Sequence, residues 1–359
     1  MAKLRVAVVG CGGIATGKHL PSLAKLTEDV EIVAFCDIII ERAQEAAKKY
    51  GIEGAKVCTD YTEIANDPDI DVVHVCTPNR SHSEISCACL YGGKHVMCEK
   101  PMAKTPAEAK KMLDAAKESG KLLTIGYQNR QYNSSMTLKN AVERGDLGDI
   151  YFAKAHALRR RAVPTWGVFL NEYEQGGGPL IDIGTHALDM TLWFMNNYEP
   201  YCVTGSTYRE LADTKNAANA WGPWDPEKFT VEDSAFGFIK MKNGATIVLE
   251  SSWAINMTDT AEACTTLCGT KAGATTKGGL AINGEDNGQL YEKAYGKVGG
   301  VAFYDAAGDD PSAKEAYQWI QAIKNGTKPT VLPEQAYVVT QILDAIYESA
   351  KTGKTVYFD

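Results

Sequence analysis

In the stretch EQGGGPLIDIGTHALDMTLWF, residues 174–194, Asp182 and His186 stand four positions apart behind three glycines and a proline. Proline suits the first turn of a helix, and positions i and i+4 share one helix face, so the acid and the imidazole are expected to point the same way. An imidazole with an ordinary pKa of about 6.5 can take up and return a proton at neutral pH, which makes His186 the best general base or acid in the chain. Asp182 would then orient the ring or bind a neighbouring hydroxyl. Lys100, in CEKP, follows the apolar run HVMC. It is therefore expected at the carboxyl end of a strand, where ligands bind in open α/β sheets. The plain alternatives are a surface acid beside a packed histidine, and a solvated lysine.

A second set of residues suits a dinucleotide. VAVVGCGGIATGKHL places Gly10, Gly12 and Ala15 as G-x-G-x-x-A directly after a strand, with Gly13 and Ile14 in the same loop. The first glycine permits a tight turn, the second admits backbone amides to a pyrophosphate, and the small third residue lets helix and strand pack, so that the helix N-terminus faces the phosphates. Asp37 closes the next strand, VEIVAFCD, where a carboxylate can accept bonds from a ribose hydroxyl. That carboxylate repels a 2′-phosphate, and Ile38, Ile39 and Ile40 offer no cation to bind one, so NAD is favoured over NADP. Arg42 lies close to this position, on an expected helix.

The elements that must hold these residues follow from pattern. Through the first third, short β-branched runs alternate with helical segments, the signature of parallel βαβ units in a doubly wound sheet. From Tyr127 the rhythm changes to longer alternating strands such as IYFAKAHALRRR and SAFGFIKMKNGATIVLESSWAI. Asn243-Gly244 predicts a type I′ hairpin. Two glycine-stopped helical patterns close the chain. The expected architecture is α/β plus α+β: a Rossmann domain over 1–126, and a domain over 127–359 built on a large, mainly antiparallel open sheet. The C-terminal helices are free to pack back on the first domain.

Composition narrows the partners. The 359 residues are 45% hydrophobic and 23% charged with a net charge of −8, and the one basic tract is Arg159–Arg161, which argues against nucleic acid and anionic membrane surfaces. No apolar run is long enough to span a bilayer, and the apolar N-terminal run ends in glycines and reads as a first strand, so a cytoplasmic location is expected. The ten cysteines lie mostly in strand-like runs, without metal-binding spacing, and are expected to be reduced.

CTPNRSHSEI, CEKP and GTH, together with the glycine loop, resemble the glucose–fructose oxidoreductase/inositol dehydrogenase family, Gfo/Idh/MocA, over nearly the whole chain. The resemblance implies that Thr77, Pro78 and Asn79 line the ribose and nicotinamide side of the cofactor. It adds His82 and Glu99 from the same motifs, and Gln128 after the last Rossmann strand, where Asn129 and Arg130 also lie. It implies a cis Lys100–Pro101 peptide that aims Lys100 at the reacting carbon, and it places Asp182 and His186 at the substrate. Arg160 and Trp166, in RRRAVPTWGVF, are further substrate candidates, the indole as a wall for a sugar's apolar face. Trp221 and Trp224 lie on an expected loop as ligand, subunit or packing residues. The remaining histidines, His19, His74, His95 and His156, form no visible constellation.

The function expected is NAD-dependent oxidation of a secondary hydroxyl of a sugar or glycoside; the tryptophan-rich insertion and RRRAVPTWGVF resemble family members that oxidise intact glycosides at C3, and that resemblance implies C3 of a glucoside, with oxidation preparing the glycosidic bond for elimination. An inositol or free-sugar dehydrogenase, a redox-neutral NAD-dependent glycosidase and a non-catalytic nucleotide sensor remain open. A dimer or tetramer, joined through the second domain's sheet, is expected.

Overall fold

The computed structural model describes residues 2–295 and 310–358. The chain divides into two compact units, one formed by 1–128 with 310–337, the other by 129–309 with 338–359. The segment 310–337, beyond the boundary expected at 126/127, thus belongs to the first unit. Its helix Pro311–Asn325 supplies Trp319 and Ile320 to the core that also contains Leu20 and Leu23.

The first unit is a six-stranded sheet in the order β3-β2-β1-β4-β5-β6, with β1 Leu4–Val9, β2 Val30–Cys36, β3 Lys56–Cys58, β4 Val72–Val75, β5 His95–Cys98 and β6 Leu123–Ile125. Every pairing is parallel. This is the doubly wound arrangement that the strand–helix alternation predicts, with its switch point between β1 and β4. Strands β1 and β4 are apolar along most of their length because both faces of a parallel sheet are covered.

The second unit is a nine-stranded sheet in the order β14-β13-β12-β11-β7-β10-β9-β8-β15. Its strands are β7 Ile150–Leu158, β8 Pro200–Tyr208, β9 Ser234–Met241, β10 Thr246–Ser252, β11 Cys264–Gly269, β12 Ala272–Thr275, β13 Leu280–Asp286, β14 Gln289–Tyr295 and β15 Val356–Tyr357. All neighbours are antiparallel except β7 and β10, which run parallel. Ile239, Ile247 and Leu249 face the buried side of the sheet. On that side Gly205 and Gly237 let the C-terminal helix approach closely, since a Cβ on either would meet Ile346 within 2.7 Å. The opposite side carries Phe236 and Phe238 among polar neighbours such as the His156–Glu250 pair.

The hairpin between β9 and β10 corrects the turn expected there. Asn243 keeps a negative φ and Gly244 alone takes φ +89°. Met241 N donates to Ala245 O, and Gly244 N to Met241 O, so three residues form the loop. A three-residue connection takes an ordinary turn followed by a left-handed glycine, whereas type I′ needs a two-residue loop. The two-residue Asn-Gly turn occurs instead at Asn287 and Gly288, both with positive φ, between paired Asp286 and Gln289.

Candidate functional site

At the carboxyl end of β1, Gly10 has φ +88°, and a Cβ there would lie 2.7 Å from the Cys76 backbone after β4. Only glycine fits. Gly12 and Gly13 have open space where a side chain would stand, which leaves a cradle of backbone at the start of the helix carrying Ile14 and buried Ala15. Asp37 is buried at the end of β2. Its Oδ2 accepts from Cys11 N at 2.7 Å and its Oδ1 from Ile39 N at 2.8 Å. A carboxylate oxygen has two acceptor positions, so the acid holds the glycine loop and retains capacity for ribose hydroxyls. An open glycine cradle, a helix N-terminus and an acid at the next strand end together fit a dinucleotide.

Thr77 is half-buried, Pro78 exposed and Asn79 buried at the start of a short turn. His82 is buried, with its Nε2 2.9 Å from Thr77 O and its Nδ1 2.8 Å from Pro101 O. Expected at the cofactor, its ring is instead spent on backbone carbonyls and ties the Thr77 segment to the CEKP segment. Burial holds its pKa below the ordinary histidine value. The Lys100–Pro101 peptide is cis, and Lys100 is half-buried.

Glu99 is turned inward. Its Oε1 accepts from Lys18 Nζ at 2.6 Å and lies 2.8 Å from His19 Nε2, while its Oε2 accepts from Lys100 N at 3.1 Å. Lys18 Nζ also meets Gln128 Oε1 at 2.9 Å and Glu315 Oε2 at 2.9 Å, so its three hydrogens find three acceptors. Burial works against the ammonium, yet Glu315 and Glu99 hold its pKa above the ordinary lysine value. For Glu99 burial again opposes the charge, but Lys18 and His19 overcome it and hold the carboxyl well below the usual range. Burial pushes the pKa of His19 down and that of His74 well down, which favours the neutral rings. His19 Nε2 then donates to the carboxylate, leaving its Nδ1 to accept from His74 Nδ1 at 2.9 Å. His19 and His74, expected to stand apart from any constellation, are thus part of a buried polar network beneath Lys100. Glu99 and Gln128, both expected at the cofactor, direct the polar atoms named here into that network.

In the second unit, Pro179 opens a helical segment whose first part, Leu180–Gly184, is wound as a π-helix and continues as the α-helix Thr185–Met195. Asp182 and His186 are half-buried, whereas Ile183, Gly184 and Thr185 between them are buried, so the two emerge on one side. Trp253, fully buried after β10, donates its Nε1–H to Asp182 Oδ2 at 3.0 Å. Gly176 takes φ +82° where the preceding short helix ends, and the next two glycines have a packing reason. A Cβ on Gly177 would fall 2.0 Å from Tyr347 Oη, and one on Gly178 2.2 Å from Glu232 O.

The expected substrate residues separate. Trp166 is 51% exposed and stacks edge-on against Trp221, itself 45% exposed, with ring centroids 4.8 Å apart. Trp224 is buried, donates to Ala212 O at 2.8 Å and packs against Phe229, which makes it a core residue. Asn219 laces the Trp221 loop to the Trp166 segment through Val163 N and O. Arg160 is exposed, whereas its neighbour Arg159 is half-buried. Arg159 pairs with Glu262 and lies over the Trp221 ring at 5.5 Å. Burial disfavours its charge, but Glu262 and, to a smaller extent, Asp182 hold the guanidinium above its ordinary value. Arg130 is fully buried in a two-pronged pair with Asp189, so it belongs to packing rather than to a ligand. The sequence reading missed Glu232, Trp253 and Tyr347. Each acts through a partner distant in sequence, so no local spacing marks it.

Residues 4–127 match the GFO_IDH_MocA oxidoreductase family with its NAD-binding Rossmann fold, and residues 135–275 match the GFO/IDH/MocA C-terminal domain. A relative from Escherichia coli strain K12, D-glucoside 3-dehydrogenase, is 38% identical over 355 residues, covering 98% of this chain and 97% of the relative. The chain belongs to the GFO/IDH/MocA oxidoreductase family. It is an NAD-dependent oxidoreductase, and the glycine cradle and Asp37 are the part of the fold that suits this cofactor. The inositol 2-dehydrogenase of Salmonella typhimurium is 34% identical, over 54% of this chain and 55% of its own. Among solved structures, levoglucosan dehydrogenase in complex with NADH and L-sorbose superposes with a TM-score of 0.83 at 24% identity, with 100% of both chains covered. An oxidoreductase domain protein from Kribbella flavida gives 0.85 at 21% identity, again over 100% of both chains. These two likenesses concern the fold.

Proposed function

We propose that the protein oxidises the C3 hydroxyl of an intact D-glucoside. The observation that carries this reading is the 38% identity to D-glucoside 3-dehydrogenase over 98% of the chain, against 54% coverage by the inositol dehydrogenase. Gly10, Gly12, Gly13, Ile14, Ala15 and Asp37 hold the cofactor, with Thr77, Pro78 and Asn79 toward its nicotinamide end. Bound NAD supplies the hydride acceptor.

His186 takes the hydroxyl proton as the carbinol C–H bond breaks with its electron pair, and a C=O bond forms at C3. Lys100 donates to the same oxygen and stabilises the negative charge that develops there. Asp182, which takes a bond from Trp253, aligns the imidazole or binds a neighbouring hydroxyl. Trp166 offers its face to the apolar side of the sugar ring, with Trp221 braced against it. The products are a 3-keto glucoside, NADH and a proton. The ketone acidifies the adjacent C–H bonds and prepares the glycosidic bond for elimination by a second enzyme.

The test is NADH formation by the purified protein with a methyl glucoside, an aryl glucoside, free glucose and myo-inositol. Glucosides should react best, and deuterium at C3 should appear in NADH while deuterium at C2 should not. Preference for inositol overturns the substrate assignment. Glycoside cleavage without NADH release would indicate the redox-neutral reaction, and NAD binding without turnover a sensor. The protein works as a homo-oligomer joined through the side of the second sheet that bears Phe238, which is 52% exposed. Light scattering should give a dimer or tetramer that Phe238→Arg weakens. No helix among the described residues is long and apolar enough to cross a membrane, which suits the cytoplasmic location we assign.

A further inference from the structure

Glu232 lies just before β9, largely buried, and belongs to none of the motifs that mark the site. Three donors converge on its carboxylate. Gly178 N donates to Oε2 at 2.8 Å, Leu180 N to Oε1 at 3.2 Å, and Tyr347 Oη to Oε1 at 2.8 Å. Two of the three are amides at the start of the helix that carries Asp182 and His186. The first amides of a helix have no partner within it, and a negative charge is favoured at that end. A local side chain usually supplies the cap, but here Pro179 and the glycines leave none, and a residue from another element does so. Gly177 and Gly178 are pressed against Tyr347 and Glu232 so closely that no side chain fits at either.

We propose that ionised Glu232, with Tyr347 as its third arm, is a positioning residue that latches the start of the Asp182–His186 helix, so that protonating it loosens the acid–histidine pair. The inference rests on the roles proposed for Asp182 and His186. The donor pattern gives the reason. A carboxylate satisfies all three donors, whereas a carboxyl group adds a hydrogen facing two N–H groups and one hydroxyl, and only the hydroxyl can turn round to accept it. At least one bond to Gly178 or Leu180 must then weaken. Burial raises the Glu232 pKa to about 7, while the bonds from Gly178, Tyr347 and Leu180 pull it down, so the latch opens at the edge of neutral pH. The titratable groups around the carboxylate are Tyr347, from the C-terminal helix, and beyond it Glu172, from the short helix Glu172–Gln175.

The test compares wild type, Glu232→Gln and Tyr347→Phe by hydrogen exchange of the 176–186 segment and by the pH profile of turnover. In wild type at pH 8 the segment should be protected, and at pH 6 it should exchange about tenfold faster after correction for intrinsic rates. Glu232→Gln should exchange at the fast rate at both pH values, with turnover at pH 8 reduced roughly 10–100-fold, as misplacement of reacting groups produces. Its NAD affinity should stay within about twofold of wild type. Tyr347→Phe removes one bond to the ionised form and should move the protection loss to higher pH. Wild-type protection in Glu232→Gln, or an unmoved transition in Tyr347→Phe, overturns the latch. If Glu232→Gln does not fold, Tyr347→Phe and the wild-type transition decide the matter. Exchange is read without turnover, so it stands even if His186 proves not to be the base.

Discussion

Trp253 Nε1 donates to Asp182 Oδ2 at 3.0 Å, and the indole that does so is fully buried. The acid therefore takes a bond from a residue beyond the end of β10, 71 positions away in the chain. Trp253→Phe keeps an aromatic ring but removes the donor. It should lower turnover by roughly 10–100-fold through misplacement of Asp182, with NAD affinity unchanged. Stability should fall by about 1–3 kcal/mol from the lost bond and the smaller side chain. Turnover and urea unfolding, measured on the same preparation, separate the two effects; a stability loss with wild-type turnover would mean that the bond serves packing alone.

His186→Ala should lower turnover by about 10²–10⁴-fold, the usual worth of general acid–base catalysis. NAD affinity should hardly change. Asp182→Asn should be milder, and the double variant should lose less than the two single losses combined, because residues acting as a unit are not additive. Lys100→Met should also be slow, and added bases should rescue it poorly, since what is lost is charge stabilisation of the oxygen. Single-turnover NADH formation measures each variant, and a wild-type rate in His186→Ala would remove the histidine from the mechanism.

Asp37→Ala should weaken NAD more than NADP, because only NAD presents a free 2′-hydroxyl to that carboxylate. Some loss for both is expected as well, since Asp37 Oδ2 also holds the Cys11 amide in the glycine loop. Titration of both nucleotides gives the ratio, and an equal loss would confine Asp37 to loop support.

Glu232 should make stability and activity move in opposite directions. Burial raises its folded pKa from 4.5 to about 7. A raised carboxyl pKa favours the folded state while the group is protonated, so this contribution is complete below about pH 4.5 and is lost as pH rises through about 7. At about 1.4 kcal/mol per unit, Glu232→Gln should gain on wild type by about 3 kcal/mol across that window. Unfolding free energies at pH 5 and pH 8 check it. A variant that gains stability at pH 8 while losing turnover is the expected result, and a constant difference between the two pH values would contradict the burial argument.

Much of the fold is written locally. The alternation of strand and helix up to β6 predicts a parallel sheet, because β-branched runs at that spacing are joined and covered by crossover helices. The glycine motif is equally local, since Gly10 must turn where Cys76 leaves no room for a Cβ. Helical spacing likewise marks Asp182 and His186 as a pair, although Leu180–Gly184 is wound as a π-helix rather than as the α-helix that such spacing assumes. The turn at Asn243-Gly244 shows the limit of such reading. Asn-Gly permits a type I′ turn, but loop length decides whether one forms, and the pairing of Met241 with Ala245 leaves three residues to connect.

What only the tertiary structure decided lies in contacts between residues far apart in the chain. Lys18, Glu99 and Glu315 meet in one buried network, Glu232 and Tyr347 hold Gly177 and Gly178, and the helix Pro311–Asn325 returns to the first unit. Periodicity along a segment fixes which side of it is apolar and where a polar group emerges. It carries no information about which distant surface covers that side, because that choice depends on the shapes and donors of both partners once the chain has folded.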